Sequence, residues 1–303
     1  MKLSHTLLAV LINLLWGSMY VAASIGLRDF PPILFTGIRF TLLVLCLFPF
    51  LKVPRDLIRP LIKVGLLMGT GMYLSLYLSV SLASNISSIA LFSKLEVPFA
   101  ILLGVLLLGE KIGINRILGI TIAMSGAMVI GFDPAAFNDI PALVWMAISC
   151  GFAAYGMIRI RELGSIHPLT IVVWISLVSS PTLLATSLVF ENNHWDVVVQ
   201  ASTVGWLALL YTAFMSSVVA NSGLYYLLRH YPVSQVAPYS LLSPIFGVIG
   251  GVWLLGDEIT LILIVGGMMI LAGVAWIHFR SRHLEQAHVS AKHDLPVNAK
   301  TGR

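Results

Sequence analysis

The chain has 303 residues, of which 58% are hydrophobic and 10% charged, with a formal net charge of +5. Soluble globular chains carry about a quarter charged residues, so this chain lacks the charge to cover a water-facing surface and reads as an integral membrane protein. Its positive balance then reports orientation in a bilayer, and no nucleic-acid partner is expected.

A membrane-spanning helix needs about 20 mostly apolar residues, and ten runs of that kind follow one another. The first, 6–26 ("TLLAVLINLLWGSMYVAASIG"), carries Asn13, Trp16 and Tyr20. It could pass for a secretory signal cut after Ala22-Ala23-Ser24. The apolar run reaches Leu27, however, and has a counterpart in the second half, so it reads as a retained first helix. The next four runs are 33–51 with Arg39, 62–82 with Tyr73 and Tyr77, 86–108 with Lys94 and Glu96, and 112–131. The second half gives 140–158 with Tyr155, 168–190, 203–227 with Tyr211 and Asn221, 234–255 with Tyr239, and 260–279. All are continuous rather than alternating, which excludes a barrel and predicts an all-α membrane protein. Residues 281–303, polar and aperiodic, read as a disordered cytoplasmic tail.

Loop charge alternates along this series. Lys2, Lys52, Arg55, Arg59, Lys63, Lys111, Arg116, Arg159, Arg161 and Arg229 fall on one side. The other side holds Arg28 beside Asp29, then Asp133, Asp139, Glu191, Asp196, Asp257 and Glu258. Basic loops stay in the cytoplasm, so both termini are expected inside. The acidic residues at turns, Glu110 with Lys111 and Asp257 with Glu258, precede helix starts, where carboxylates offset exposed amides.

The chain also repeats. "LLGEKI" at 107–112 returns as "LLGDEI" at 254–259, and the same offset of 147 pairs Gly119 with Gly266, Gly126 with Gly273, and Ser93 with Ser240. Each half, 1–135 and 136–280, then has five helices, and an odd number makes the halves enter the bilayer from opposite sides. Such inverted repeats surround a midplane site and rock between two access states.

Arg39, Lys94 and Glu96 are the ionisable side chains well inside apolar runs. Each would cost about 2.5–3.5 kcal/mol facing lipid at a helix centre. At 1.5 Å per residue they lie about 9, 12 and 15 Å from the outer face. In a regular helix Lys94 and Glu96 project about 200° apart and cannot pair. Two arrangements are open: an Arg39–Glu96 ion pair that fixes packing, with Lys94 snorkelling outward, or a polar cavity lined by at least one of the three. Their summed charge of plus one suits an anionic group, and Glu96 is a candidate proton-coupling carboxylate. Pro98 removes a helical hydrogen bond at Lys94, and Pro238 and Pro244 interrupt the counterpart helix. Interruptions in corresponding places of two halves mark a binding site. Trp16, Tyr20, Tyr77, Tyr155, Tyr239, Asn13 and Asn221 are further candidate contacts, with Tyr20 and Tyr155 in similar places in the first helix of each half. Cys46 and Cys150 read as small hydrophobes. The chain has no phosphate-binding loop, no His-Glu-x-x-His pair and no nucleophile elbow, so no catalytic residue, metal ligand or enzymatic activity is expected.

"LLWGSMYVA" (14–22), "SKLEVPFAILLGVLLLGEKI" (93–112) and its echo "SLLSPIFGVIGGVWLLGDEI" (240–259) resemble the EamA-type drug/metabolite transporters over residues 5–280. Many members show Leu-Glu-Pro-Val-Phe where this chain has Leu95-Glu96-Val97-Pro98-Phe99. Lys94 is not part of that pattern. The resemblance implies an inner-membrane secondary transporter without a cofactor, exporting amino acids or related metabolites through a cavity among the first, third, fourth, sixth, eighth and ninth helices. A channel or a non-transporting helical scaffold is the alternative. The small-molecule substrate and the lipid bilayer are the expected partners, and proton coupling and a homodimer are both open.

Overall fold

The computed structural model of the chain describes residues 1–109, 113–132, 139–163, 166–231 and 233–293, with 108, 161, 162, 225, 229, 233, 234, 237 and 278–293 as backbone alone. Glu110, Lys111, Asp133 and residues 294–303 lie outside the described residues.

Hydrocarbon offers no partner to a free N–H or C=O, so each apolar run closes its hydrogen bonds within itself and becomes a helix. Among the described residues, nine helices are long and apolar enough to cross a membrane: α1 (Leu3–Gly26), α2 (Pro32–Leu51), α3 (Arg55–Leu82), α4 (Ile86–Leu107), α5 (Ile114–Gly131), α6 (Ile140–Ile160), α7 (Pro168–Phe190), α8 (Thr203–Leu228) and α9 (Pro238–Leu255). A tenth apolar helix, α10, covers Leu261–Ile277. Among the described residues there is no strand.

Two boundaries differ from the sequence expectation. α3 starts at Arg55 rather than 62, because Leu61 and Val64 bury one stripe of an otherwise charged first turn pair. Polarity hid that stripe from a count of apolar residues. The last helix continues to His293, so the segment 281–293 is helical rather than irregular. A short helix, His194–Gln200, joins α7 to α8.

The bundle is apolar outside and partly polar within. Leu7, Leu106, Leu188 and Trp253 are exposed, while Thr36, Ser79, Ser176, Ser187 and Thr212 are fully buried. Buried hydroxyls return their hydrogen to nearby backbone, as Thr36 does to the Pro32 carbonyl at 2.6 Å and Ser75 to Gly71 at 2.8 Å.

The sequence repeat is a structural one. α4 and α9 both end on a left-handed glycine, Gly109 at φ 64° and Gly256 at φ 78°, a conformation that costs glycine nothing. α3 widens to a π-helix over Gly65–Tyr73, and α8 does so over Tyr211–Ala220, the same register 147 residues on. α4 tightens to a 3-10 turn at Ser93–Leu95, and the chain does the same at Ala237–Leu241 on entering α9. The halves are inverted, as the contact between α5 and α10 shows. Gly119 faces Gly273 and Gly126 faces Gly266, crosswise to the sequence pairing, as a two-fold axis between antiparallel mates requires. A Cβ at any of the four would collide with the opposing carbonyl, which is why this helix pair needs glycine.

The two faces of the bundle are built differently. On the acidic face, among the described residues, four carboxylates tie one half to helix starts of the other. Glu191 accepts from the Ile33 and Leu34 amides at 2.8 Å each. Asp139 accepts from the Ser84 and Asn85 amides at 2.8 and 3.1 Å, and Asp257 from the Ser87 amide and hydroxyl at 2.7 Å. Asp29 accepts from the Ser202 amide at 3.0 Å. Asp257 thus offsets free helix-start amides as its position suggested, but on α4 rather than on the helix that follows it. On the basic face the contacts are aromatic: His5 bonds the Tyr231 hydroxyl at 2.9 Å, and Phe50 stacks on His167.

Candidate functional site

Pro98 has no N–H for the Lys94 carbonyl, and Pro244 has none for Ser240. At both places the chain winds into the 3-10 turns described above. This winding has a consequence for side-chain direction. Three residues per turn bring positions two apart to about 120° of one another, so Lys94 and Glu96 border the same space. That space is a cavity of about 320 Å³ between the two halves. It is bordered by α1 to α4 and α6 to α9, while α5 and α10 pack away from it.

Lys94 is 7% exposed. Among the described residues neither its ammonium nor the Glu96 carboxylate has a hydrogen-bond or ion-pair partner, and both border the cavity with Cys150. A buried charge without a partner is costly, so this geometry is that of a pair awaiting one. Ser93 and Ser240, mates in the repeat, both line the cavity, with Ser216, Ser217, Asn221 and Ser243 continuing the polar side. Met68, Met72, Met157, Ile171 and Ile175 make the other side apolar. The cavity runs from mid-depth to the ends of α6 and α7 on the basic face, reaching Ile160 and Ile171. Toward the acidic face it stops against a packed cluster in which Phe30, Phe35 and Tyr77 are fully buried.

Arg39 is not in the cavity and does not pair with Glu96. It is fully buried, and its Nε donates to the Thr212 carbonyl at 3.1 Å and its Nη2 to the Ser217 hydroxyl. Its guanidinium lies over Tyr73 at 4.4 Å, with Phe40 at 5.1 Å and Tyr77 at 5.8 Å. The widened turn of α8 is what supplies the carbonyl, since i→i+5 winding displaces backbone acceptors from their helical partners. The same stretch offers the Ser216 carbonyl to Trp16 Nε1 at 3.3 Å. In α3, the π turn offers Gly65 to Ser179 and Met72 to Ser149.

The sequence profile of the EamA-like transporter family matches residues 3–132 and again 140–279. The chain belongs to that family. Among curated proteins it is 26% identical over 277 residues to a "Probable amino-acid metabolite efflux pump" of Escherichia coli K12, covering 88% of this chain and 92% of that one. The Salmonella typhimurium protein of the same name is 27% identical over 293 residues, covering 93% and 97%. A solved crystal structure shares the fold at a TM-score of 0.65 and 17% identity, spanning 94% of this chain and all of the other.

In this EamA-like transporter the cavity gathers Lys94, Glu96, Trp16, Tyr20 and Asn221 from the residues singled out by sequence. The others lie elsewhere. Tyr77 is fully buried between Phe35 and Tyr73, with its hydroxyl unpartnered. Tyr155 accepts from Arg159 Nη2 at 2.7 Å, so its likeness in position to Tyr20 does not carry into a shared site. Tyr239 packs in the α1–α8–α9 cluster, and Asn13 donates to the Ala9 carbonyl at 2.8 Å. Cys150, read as a mere hydrophobe, lines the cavity and turns its thiol to the Ser93 carbonyl at 3.4 Å. Sequence reasoning missed this residue and Tyr73. The serines of α8 and α9 were the readable omission, because small polar residues inside an apolar span signal an interior face.

Proposed function

We propose that the chain is a secondary transporter that exports amino acids or related small metabolites across the inner membrane by alternating access, with both termini in the cytoplasm. The observation that carries this reading is a buried Lys94 beside Glu96, without a partner among the described residues, on a cavity that runs to one face and is closed at the other. Positive loop charge supports a cytoplasmic basic face, and the cavity then faces the compartment from which an exporter loads. The printed names of the relatives support efflux of amino-acid metabolites. A static scaffold has no use for two unpaired charges at mid-depth, and an open channel would not be tethered shut across one face.

Inverted halves supply the motion. In the mirror state the contacts of the acidic face part and the cavity closes toward the basic face. We propose Glu96 as the carboxylate through which a proton gradient would couple to that change. Efflux from proteoliposomes against a metabolite panel, with and without a pH gradient, tests the reading. Glu96→Gln and Lys94→Ala should each greatly reduce transport while leaving the protein folded. Full activity in both would refute the site, and loss of gradient dependence in Glu96→Gln alone would assign the proton to it.

A further inference from the structure

Resting on the export reading above, we infer that the cargo is the zwitterion of an α-amino acid with an apolar side chain, its carboxylate on Lys94 and its ammonium on Glu96. The structure removes Arg39 from the charge balance of the site. That guanidinium is fully buried and stacks on the Tyr73 ring, with Nε and Nη2 donating to Thr212 and Ser217 and Nη1 without a hydrogen-bond partner among the described residues. What remains on the cavity wall is one cation and one anion, with no hydrogen-bond or ion-pair partner among the described residues. Three buried charges counted from sequence favoured an anion. Two exposed to the cavity favour a ligand that carries one charge of each sign close together.

The rest of the wall separates head from tail. Serines and Asn221 on α4, α8 and α9 surround the charged pair with hydroxyl and amide groups that hydrogen-bond a polar head. Facing them, Met68, Met72, Met146 and Met157 on α3 and α6 present unbranched, polarisable side chains. Thioethers repack around ligands of different outline, so this wall accepts several apolar side chains, and its polar groups, the Tyr73 and Ser149 hydroxyls, bring no charge to pair with a charged one. A volume of about 320 Å³ is at the small end of ligand pockets, which fits a free amino acid better than a peptide. The zwitterion also solves an electrostatic problem, because it satisfies both wall charges as it enters and leaves the occupied cavity neutral overall for its passage through the bilayer.

The test is counterflow in proteoliposomes of the full-length chain, preloaded with L-methionine. The external probes are radiolabelled L-methionine, L-leucine, L-glutamate, the oxo acid lacking the ammonium (4-methylthio-2-oxobutanoate) and the amine lacking the carboxylate (3-methylthiopropylamine). Methionine and leucine should exchange, and the oxo acid and amine should fall behind by at least about tenfold, the discrimination expected when a site's hydrogen-bonding group is left unpaired. Met68→Leu with Met72→Leu should narrow the range, changing the leucine-to-methionine ratio without abolishing exchange. Thermal unfolding in detergent, alone and with L-methionine or 3-methylthiopropylamine, gives a second readout, in which Lys94→Gln should erase stabilisation by methionine and leave the response to the amine unchanged. Exchange of oxo acid or amine as fast as methionine would overturn the zwitterion while leaving a transporter. Exchange of glutamate as fast as leucine would overturn the apolar wall. Folded protein that exchanges none of the probes and is stabilised by none of them would overturn this inference, and only failure across the wider metabolite panel would also remove the export reading.

Discussion

Arg39 shows how a buried cation is held without a counter-ion. Its charge is spread over a planar group stacked on Tyr73, and two donors reach acceptors on α8. A desolvated cation–π contact contributes about 2 kcal/mol, and lysine has neither the plane nor the fork that this arrangement uses. Arg39→Lys should therefore lower the unfolding free energy by about 1–2 kcal/mol. Thermal melts would show that loss, while KM for the transported solute stays put because the side chain does not touch the cavity. Lys94 is the opposite case. It sits at comparable burial with no hydrogen-bond or ion-pair partner among the described residues, and a lysine left in that condition is tolerated where a ligand completes it.

Among the elements, the kinked middle of α4 is the one that makes the site. Pro98→Ala would restore an amide donor for the Lys94 carbonyl and let the 3-10 turn at Ser93–Leu95 relax toward regular winding. An interior proline costs a helix about 3 kcal/mol, so this variant should melt higher than the parent. Transport should fall nonetheless, because Lys94 turns away from Glu96. A variant more stable and less active, read by paired melts and efflux, is the expected signature. The acidic face has its own elemental logic. Glu191 bridges the free amides at the start of α2, and hydrogen bonds to a charged acceptor contribute about 1.5–3 kcal/mol. Glu191→Gln keeps one oxygen acceptor and loses the charge, so it should weaken closure of that face. Faster thiol labelling of a cysteine placed at Leu34, reached only when the face opens, would register the change; unchanged labelling would mean that Glu191 does not hold the face shut.

At the scale of the molecule, the two halves meet through glycine contacts and carboxylate tethers, and the tethers lie on one face only. This asymmetry is what a single snapshot of an inverted repeat should look like: one face tied by carboxylates, the other holding aromatic contacts and leading to the cavity. Cysteines in place of Asp29 and Ser202, whose side chains meet across the halves, should form a disulfide that arrests efflux, with recovery on reduction. Transport that continues through the cross-link would separate the activity from any rocking of the halves. The five-helix halves also explain the outer pair, α5 and α10. They take no part in the cavity and instead close the bundle on the side where Gly119, Gly126, Gly266 and Gly273 interlock.

Membrane residence, the helix series, the inverted repeat and the placement of Lys94 and Glu96 in a proline-broken helix were all determined by the sequence. Each follows from a one-dimensional quantity: run length, loop charge, offset or a missing amide. The fate of Arg39 was not legible, since its acceptors sit 173 and 178 residues away and depend on a π turn that no propensity announces. Nor was the division of the aromatic residues, with Tyr20 on the cavity and Tyr77, Tyr155 and Tyr239 off it, because facing depends on helix rotation within the bundle. The acidic loop residues were readable as helix-start partners, but only the tertiary structure decided which helix each would serve. Local hydrogen bonding and hydrophobicity act along the chain, whereas the pairing of charges and the shape of a cavity are set by which faces the packed helices turn toward one another.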